Sequence, residues 1–283
     1  MTTLTTLDNF QLQPQNLITP GLYGLYGPPG STKSSIACTF PKPLVFYDFD
    51  RGLHRARGVK LTVTDNGSQP STVASYFGVS GLVIPKYPDS PVRSMTTRFA
   101  KLDGWTKAWS NFVKSFVDDC ENSDIKTIVW DTATVEWKLC TDGFLEELQQ
   151  KGERKQLLQI EYGEPNSRQN TMLQAAAIYR KNLVLVHHET DEYAPITMGG
   201  RAVTDAEGNP KSAPTGRKLP DGFRYTTGKC DWIIHTVIKQ QEGLAVPVST
   251  IEKSALGLDI LGTEFNWLTY GSLEQALKLM ERV

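Results

Sequence analysis

The sequence predicts an α/β fold, and three observations carry that expectation. Short apolar runs alternate with amphipathic stretches along the chain. Two of those runs, Thr127–Asp131 and Asn182–His187, are nearly continuous in apolar residues, as central strands covered on both faces are. A glycine- and proline-rich turn, Gly27 to Gly30, follows the first apolar run and leads towards a helix. In order, the expected strands are Leu22–Tyr26, Pro43–Asp48, Val59–Val63, Gly81–Ile84, Thr127–Asp131, Asn182–His187, Trp232–Ile238 and Val246–Ile251. Trp105, Trp109, Phe112, Val113, Phe116 and Val117 keep a 3.6-residue period, which predicts a helix over Gly104–Cys120. Met172–Tyr179 reads as another. Ser272, with Gln275 three residues on, reads as a capping box opening a last helix. Thr64–Val79 and the stretch from about Glu189 to Lys229 read as loops. The second is far longer than an ordinary connection, and such loops in compact domains are functional or disordered.

Composition narrows the classes. The chain has 283 residues, 39% apolar and 22% charged, which is an ordinary globular balance and enough to bury a sizeable core. Thirty Lys and Arg oppose 31 Asp and Glu, for a net charge of −1, so bulk attraction to nucleic acid is excluded and only a local basic surface remains. Cys38, Cys120, Cys140 and Cys230 stand far apart, with neither zinc-ligand spacing nor a disulfide framework. No apolar run reaches the ~18–20 residues of a membrane span, and Met1–Pro20 lacks a signal-peptide profile. A cytoplasmic location without membrane contact is the expectation. Residues 1–17 read as a polar extension and 18–283 as a single domain.

The most specific motif is Gly27-Pro28-Pro29-Gly30-Ser31-Thr32-Lys33-Ser34-Ser35. It follows the G-x-x-x-x-G-K-[ST] pattern, in which backbone amides and a helix N-terminus wrap phosphates. Lys33 is placed to reach the outer phosphates of ATP, and the Ser34 hydroxyl to bind Mg²⁺. Thr32 occupies the position of the second glycine. A β-branched residue there tolerates positive φ poorly, which puts nucleotide affinity at risk.

Hydrolysis needs further groups. Asp131, at the end of an apolar strand, is the candidate second Mg²⁺ residue; the alternative is a carboxylate capping the next turn. Asp50, just past the Val45–Asp48 strand end, is the candidate general base for water, or else it pairs with Arg51, Arg55 or Arg57. His188 follows the Asn182–His187 strand and is the candidate γ-phosphate sensor, or a polar strand end facing solvent. No His, Cys or carboxylate cluster has the ligand spacing of a histidine-bound metal.

These residues, taken in order, resemble the bacteriophage RecA-like P-loop ATPases, the small recombination ATPases associated with single-strand annealing. The Gly27–Ser34 loop, Tyr47-Asp48-Phe49-Asp50, the Thr127–Asp131 strand, Val186-His187-His188-Glu189 and Ile251-Glu252-Lys253 carry the likeness, over about residues 18–282. The resemblance implies a RecA-like core with a mostly parallel central sheet flanked by helices, and an ATP site shared between subunits of a ring or filament. It also implies that Lys253 completes a neighbour's site and that the 189–229 segment contacts single-stranded DNA. Arg201, Lys211, Arg217, Lys218 and Arg224 are the implied DNA-binding cations, with Lys229 near and Phe223 and Tyr225 interleaved for base stacking. A basic run around Lys151, Arg154 and Lys155 is placed to join them. A phage single-strand-binding protein is an implied partner. Two other readings remain open at this point: a small-molecule P-loop kinase with the long segment as lid, and a non-catalytic nucleotide-binding assembly module.

Overall fold

The computed structural model describes residues 20–56, 59–65, 70–76, 79–89, 91, 101–152, 154–198, 201–204, 210–257 and 259–280. The expected N-terminal extension, residues 1–17, lies outside the described residues. The chain runs β1 (Leu22–Tyr26), α1 (Lys33–Ala37), β2 (Leu44–Asp48), β3 (Lys60–Asp65), β4 (Pro70–Tyr76), β5 (Val79–Lys86), α2 (Trp105–Glu121), β6 (Thr127–Asp131), α3 (Ala133–Gln149), α4 (Gly163–Ile178) and β7 (Asn182–His187). It continues through β8 (Glu189–Pro195), β9 (Thr197–Met198), β10 (Arg201–Ala202), β11 (Ser212–Pro220), α5 (Thr226–Lys229), β12 (Trp232–Gln241), β13 (Leu244–Lys253), β14 (Glu264–Asn266) and α6 (Tyr270–Met280).

Ten strands form one sheet in the order β14-β13-β12-β1-β7-β6-β2-β5-β4-β3. The middle of it, from β12 to β5, is parallel throughout, and antiparallel strands extend both edges. Alternation of side chains explains why the central strands are apolar on both faces. Ile128 and Trp130 of β6, with Leu183 and Leu185 of β7, meet α2, α3 and α4 through Phe112, Phe116, Leu139 and Leu173. On the other face Val129, Val184 and Val186 meet α1 and α6 through Ile36, Leu273 and Leu277. The result is a mostly parallel central sheet flanked by helices.

Several local expectations change. Thr64–Val79 is not a loop: its described residues belong to β3, β4 and the start of β5, an antiparallel edge. Most of the described residues of the 189–229 stretch are not loop either. β8 and β11 pair as an antiparallel ribbon, with β9 and β10 pairing beyond it. α4 begins at Gly163, well before Met172, because Arg168 forms a bidentate pair with Glu147 of α3 at 2.9 and 2.8 Å and so ties a polar first half to the bundle. The last helix opens one turn earlier than Ser272. Thr269 and Ser272 cap each other, with Ser272 N donating to Thr269 Oγ1 at 3.0 Å and Thr269 N donating to Ser272 Oγ at 2.9 Å. At α2 the cap comes from α3: the Glu146 carboxylate accepts from Gly104 N at 3.0 Å and Thr106 N at 2.6 Å.

Candidate nucleotide site

Register brings the chemistry to one edge. Tyr26 pairs with His187, Val186 with Asp131, and Asp131 with Asp48, so the C-terminal ends of β1, β7, β6 and β2 lie side by side. β7 stands between the strand that feeds the glycine-rich loop and the strand that ends in Asp131. Ligands in open α/β sheets bind outside that edge.

The loop leaves β1 at Gly27, where a Cβ would sit 2.0 Å from the Thr236 carbonyl oxygen, so only glycine fits. Gly30 takes φ 78°, and no atom lies within 4 Å of where its side chain would be. Thr32 caps α1 with φ 70° and ψ 12°, the left-handed conformation that glycine would adopt freely. Its hydroxyl is buried without a partner and makes no capping bond. The first-turn amides of α1 therefore have no side-chain cap, and that turn carries no acidic residue.

Lys33 lies in the loop's own carbonyl cradle. Its Nζ donates to Gly27 O at 2.8 Å, Pro28 O at 2.7 Å and Ser31 Oγ at 3.2 Å. Burial lowers its pKa to about 8, against the opposing pull of Asp131, Glu189 and Asp50. Burial likewise pushes Asp131 up to about 7, and the bond donated by the Ser34 hydroxyl opposes it. Asp48, Asp50 and Asp131 each place a carboxylate oxygen within 4.8 Å of the others. Asp48 is buried and accepts from Gly52 N at 2.7 Å and Leu53 N at 3.0 Å, so it shapes the turn that presents the exposed Asp50.

These residues surround a cleft of about 390 Å³, whose wall runs from Pro29 to Ser35 and includes Asp50, Asp131 and His188. Arg55 and Thr132 also line it. By sequence Arg55 is only a candidate partner for Asp50, and its side chain does reach the Asp50 carbonyl oxygen, at 3.4 Å. The signal for Arg55 was a cation within one short turn of a carboxylate-ending strand.

A family model described as "AAA domain" matches residues 22–209, about two thirds of the chain. The chain belongs to the AAA-domain family. Among solved structures it is similar to the RadB recombinase, with 11% identity, a TM-score of 0.43 and coverage of 88% of this chain and 87% of that one. It is also similar to a KaiC-like protein of the archaeon Pyrococcus horikoshii, at 13% identity and a TM-score of 0.43, with 88% and 85% covered. No curated protein matches the sequence.

Around this AAA domain the remaining candidates take definite places. His188 lines the cleft, and its backbone N–H donates to Thr134 Oγ1 at 3.1 Å. The same hydroxyl donates to the Asp221 carbonyl at 3.0 Å, where the chain leaves β11. His187 is buried, holds that carbonyl with Nδ1 at 2.8 Å and is pushed down to about 4 by burial, so it is neutral near pH 7. Thr134 thus links the wall of the cleft to the foot of the ribbon.

Lys253 is not brought to this chain's own cleft. Its Nζ donates to the carbonyls of Thr227, Gly228 and Cys230 at 3.0, 3.1 and 2.6 Å, and it pairs with Ile233, level with Gly24. On the ribbon, Lys211 and Arg217 are exposed, Lys218 pairs with Asp191 at 2.7 Å, and Arg201 belongs to β10. Arg224 lies over the Tyr225 ring, 4.5 Å from its centre. Phe223 departs from the expectation of base stacking. It is buried against Trp137, with ring centres 5.2 Å apart, because the chain turns into the core directly after Gly222. Among the described residues no helix is long and apolar enough to cross a membrane.

Proposed function

We propose that this AAA domain binds ATP with Mg²⁺ and hydrolyses it, and that it does so on single-stranded DNA in phage recombination, annealing or replication. The observation that carries the reading is the meeting of Lys33, Ser34, Asp131 and Asp50 in one cleft at the C-terminal edge of the parallel strands. The residues fit the groups. The uncapped first turn of α1 and the open Gly30 suit phosphate oxygens, and a hydroxyl beside a carboxylate is the hard-oxygen donor set that Mg²⁺ prefers. Mg²⁺ held by Ser34 and Asp131 would neutralise charge on the phosphate oxygens.

Within this reading Lys33 exchanges its loop carbonyls for a phosphate, whose negative charge favours the ammonium form against the burial that lowers its pKa. Asp50, presented by the Asp48 turn, orients the attacking water and accepts its proton. His188 reports the occupied cleft through Thr134 to the ribbon. Arg201, Lys211, Arg217, Lys218 and Arg224 track the DNA backbone, and Lys253 of an adjacent copy approaches the nucleotide in a ring or filament. The host cytoplasm and a single-strand-binding protein are the matching location and partner.

The test is Mg²⁺-dependent ATP turnover with and without single-stranded DNA, for the wild type, Lys33→Ala and Asp131→Asn. Turnover stimulated by DNA and lost in both variants is expected. Turnover that survives Lys33→Ala would refute the site, and turnover indifferent to DNA would refute the DNA role alone.

A further inference from the structure

A second cleft, of about 670 Å³, opens where α3, the 3-10 turn Gln159–Tyr162, the start of α4 and the chain leaving β11 come together. It is lined by Trp137, Ile160 and Tyr162, by the amide residues Gln159 and Asn166, and by Arg224. Among the described residues that line it there is no carboxylate. Ile160 is 87% exposed and Tyr162 39%, so these side chains are not held there by a core of their own.

The cleft is preformed. Trp137 is braced against the buried Phe223, and Arg224 is laid over Tyr225. Gly222, at φ +111°, brings the chain so close to α3 that a Cβ would lie 3.2 Å from Thr134 Cα. The cations of β11 end within a few residues of this wall, and the exposed Lys151 lies on the segment that leads into Gln159, where Arg154 is paired with Glu161 at 3.0 Å.

We propose that this cleft holds one unstacked base of a DNA single strand, with Arg224 on the adjoining phosphate. The inference rests on the single-strand reading above and adds a place where the strand is gripped by its bases. A base offers a π face to an indole and a phenol, and a mixed donor and acceptor edge to two carboxamides. Its phosphate needs a cation and no competing carboxylate. An aliphatic side chain of a protein partner would leave both carboxamides unmatched and the guanidinium without a counter-charge.

Binding of a fluorescein-labelled oligothymidylate is measured by anisotropy for the wild type, Gly163→Leu and Tyr162→Ala, each with its urea unfolding midpoint. Gly163 lines the cleft in helical conformation, φ −56° and ψ −44°, and a side chain there meets nothing within 4 Å, so leucine fills the cleft without backbone strain. Tyr162→Ala removes a half-exposed ring and serves as the second variant. In parallel, an oligomer containing 5-iodouracil is photocrosslinked to the wild type and the attached peptide is mapped. The expected result is affinity about tenfold weaker in both variants at unchanged unfolding midpoints, with the crosslink on Trp137 or Tyr162. Wild-type binding that both variants retain, with the crosslink elsewhere, would overturn the cleft assignment and leave the single-strand reading standing. A wild type that binds no oligothymidylate in the presence of Mg²⁺ and ATP would bring down the single-strand reading, and this inference with it.

Discussion

Glu136 is fully buried in α3, and among the described residues its hydrogen-bond partner is Gln169 of α4, whose Nε2 donates to Glu136 Oε2 at 2.9 Å. Glu136 Oε1 and Gln169 Oε1 are both buried and both lack partners. A fully buried carboxylate with one oxygen left without a donor favours its neutral, protonated form. Burial pushes the carboxyl from its ordinary 4.5 up to about 8, with the Gln169 bond opposing. The folded state therefore binds a proton that the unfolded state releases above pH 4.5. The stabilisation is fully present below about pH 4.5 and is lost as pH rises through about 8. Between pH 5.5 and 8.0 the loss comes to about 3 kcal/mol. Glu136→Gln stays neutral at every pH and keeps an amide opposite Gln169. Urea unfolding of both proteins across that range isolates the group, since every other titration cancels in the difference. The variant's advantage should grow by about 3 kcal/mol from the acid to the alkaline end. A difference that stays flat with pH would refute the protonated pair.

Two further outcomes test the site. Thr32→Gly relieves a left-handed β-branched residue, at about 1–2 kcal/mol, and removes an unpartnered buried hydroxyl. Calorimetric titration with Mg²⁺ and ADP should show equal or tighter binding than the wild type, and weaker binding would mean that Thr32 is not strained. Thr134→Val keeps the shape but removes the hydroxyl shared by His188 N and the Asp221 carbonyl. It should cost about 1–2 kcal/mol of stability by urea unfolding and abolish most of the DNA stimulation of turnover, while nucleotide affinity stays within about threefold. Undiminished stimulation would rule out this link between cleft and ribbon.

Much of the architecture is determined locally. β1, β6 and β7 have the predicted ends because each continuous apolar run is bounded by polar or turn-forming residues, and α2 lies within one residue of its predicted ends because its stripe keeps the helical period. The Gly27–Ser35 loop and the strand-end positions of Asp50, Asp131 and His188 are legible for the same reason: short motifs with backbone requirements sit between unambiguous elements.

What tertiary structure alone decided lies where burial is slight or partners are distant in sequence. The β8/β11 ribbon carries mostly exposed residues and β4 shows no clear alternation of apolar and polar residues, so their pattern reads as loop, whereas the alternating β3 lies close to the expected Val59–Val63 strand. α2 is capped by Glu146, some forty residues away, and α6 by a Thr269–Ser272 pair that a search for Glu or Gln at the third position passes over. Phe223 could be a stacking ring or a core ring by composition, and contact with Trp137 makes it core. Asp48 and Asp50 differ only in which of them the following turn buries. Asp48 goes to the backbone amides of Gly52 and Leu53, and Asp50 is left to the cleft. Lys253 sits at a strand end as expected, yet three carbonyls hold it away from its own chain's cleft, because β13 runs antiparallel to the strands whose ends form it.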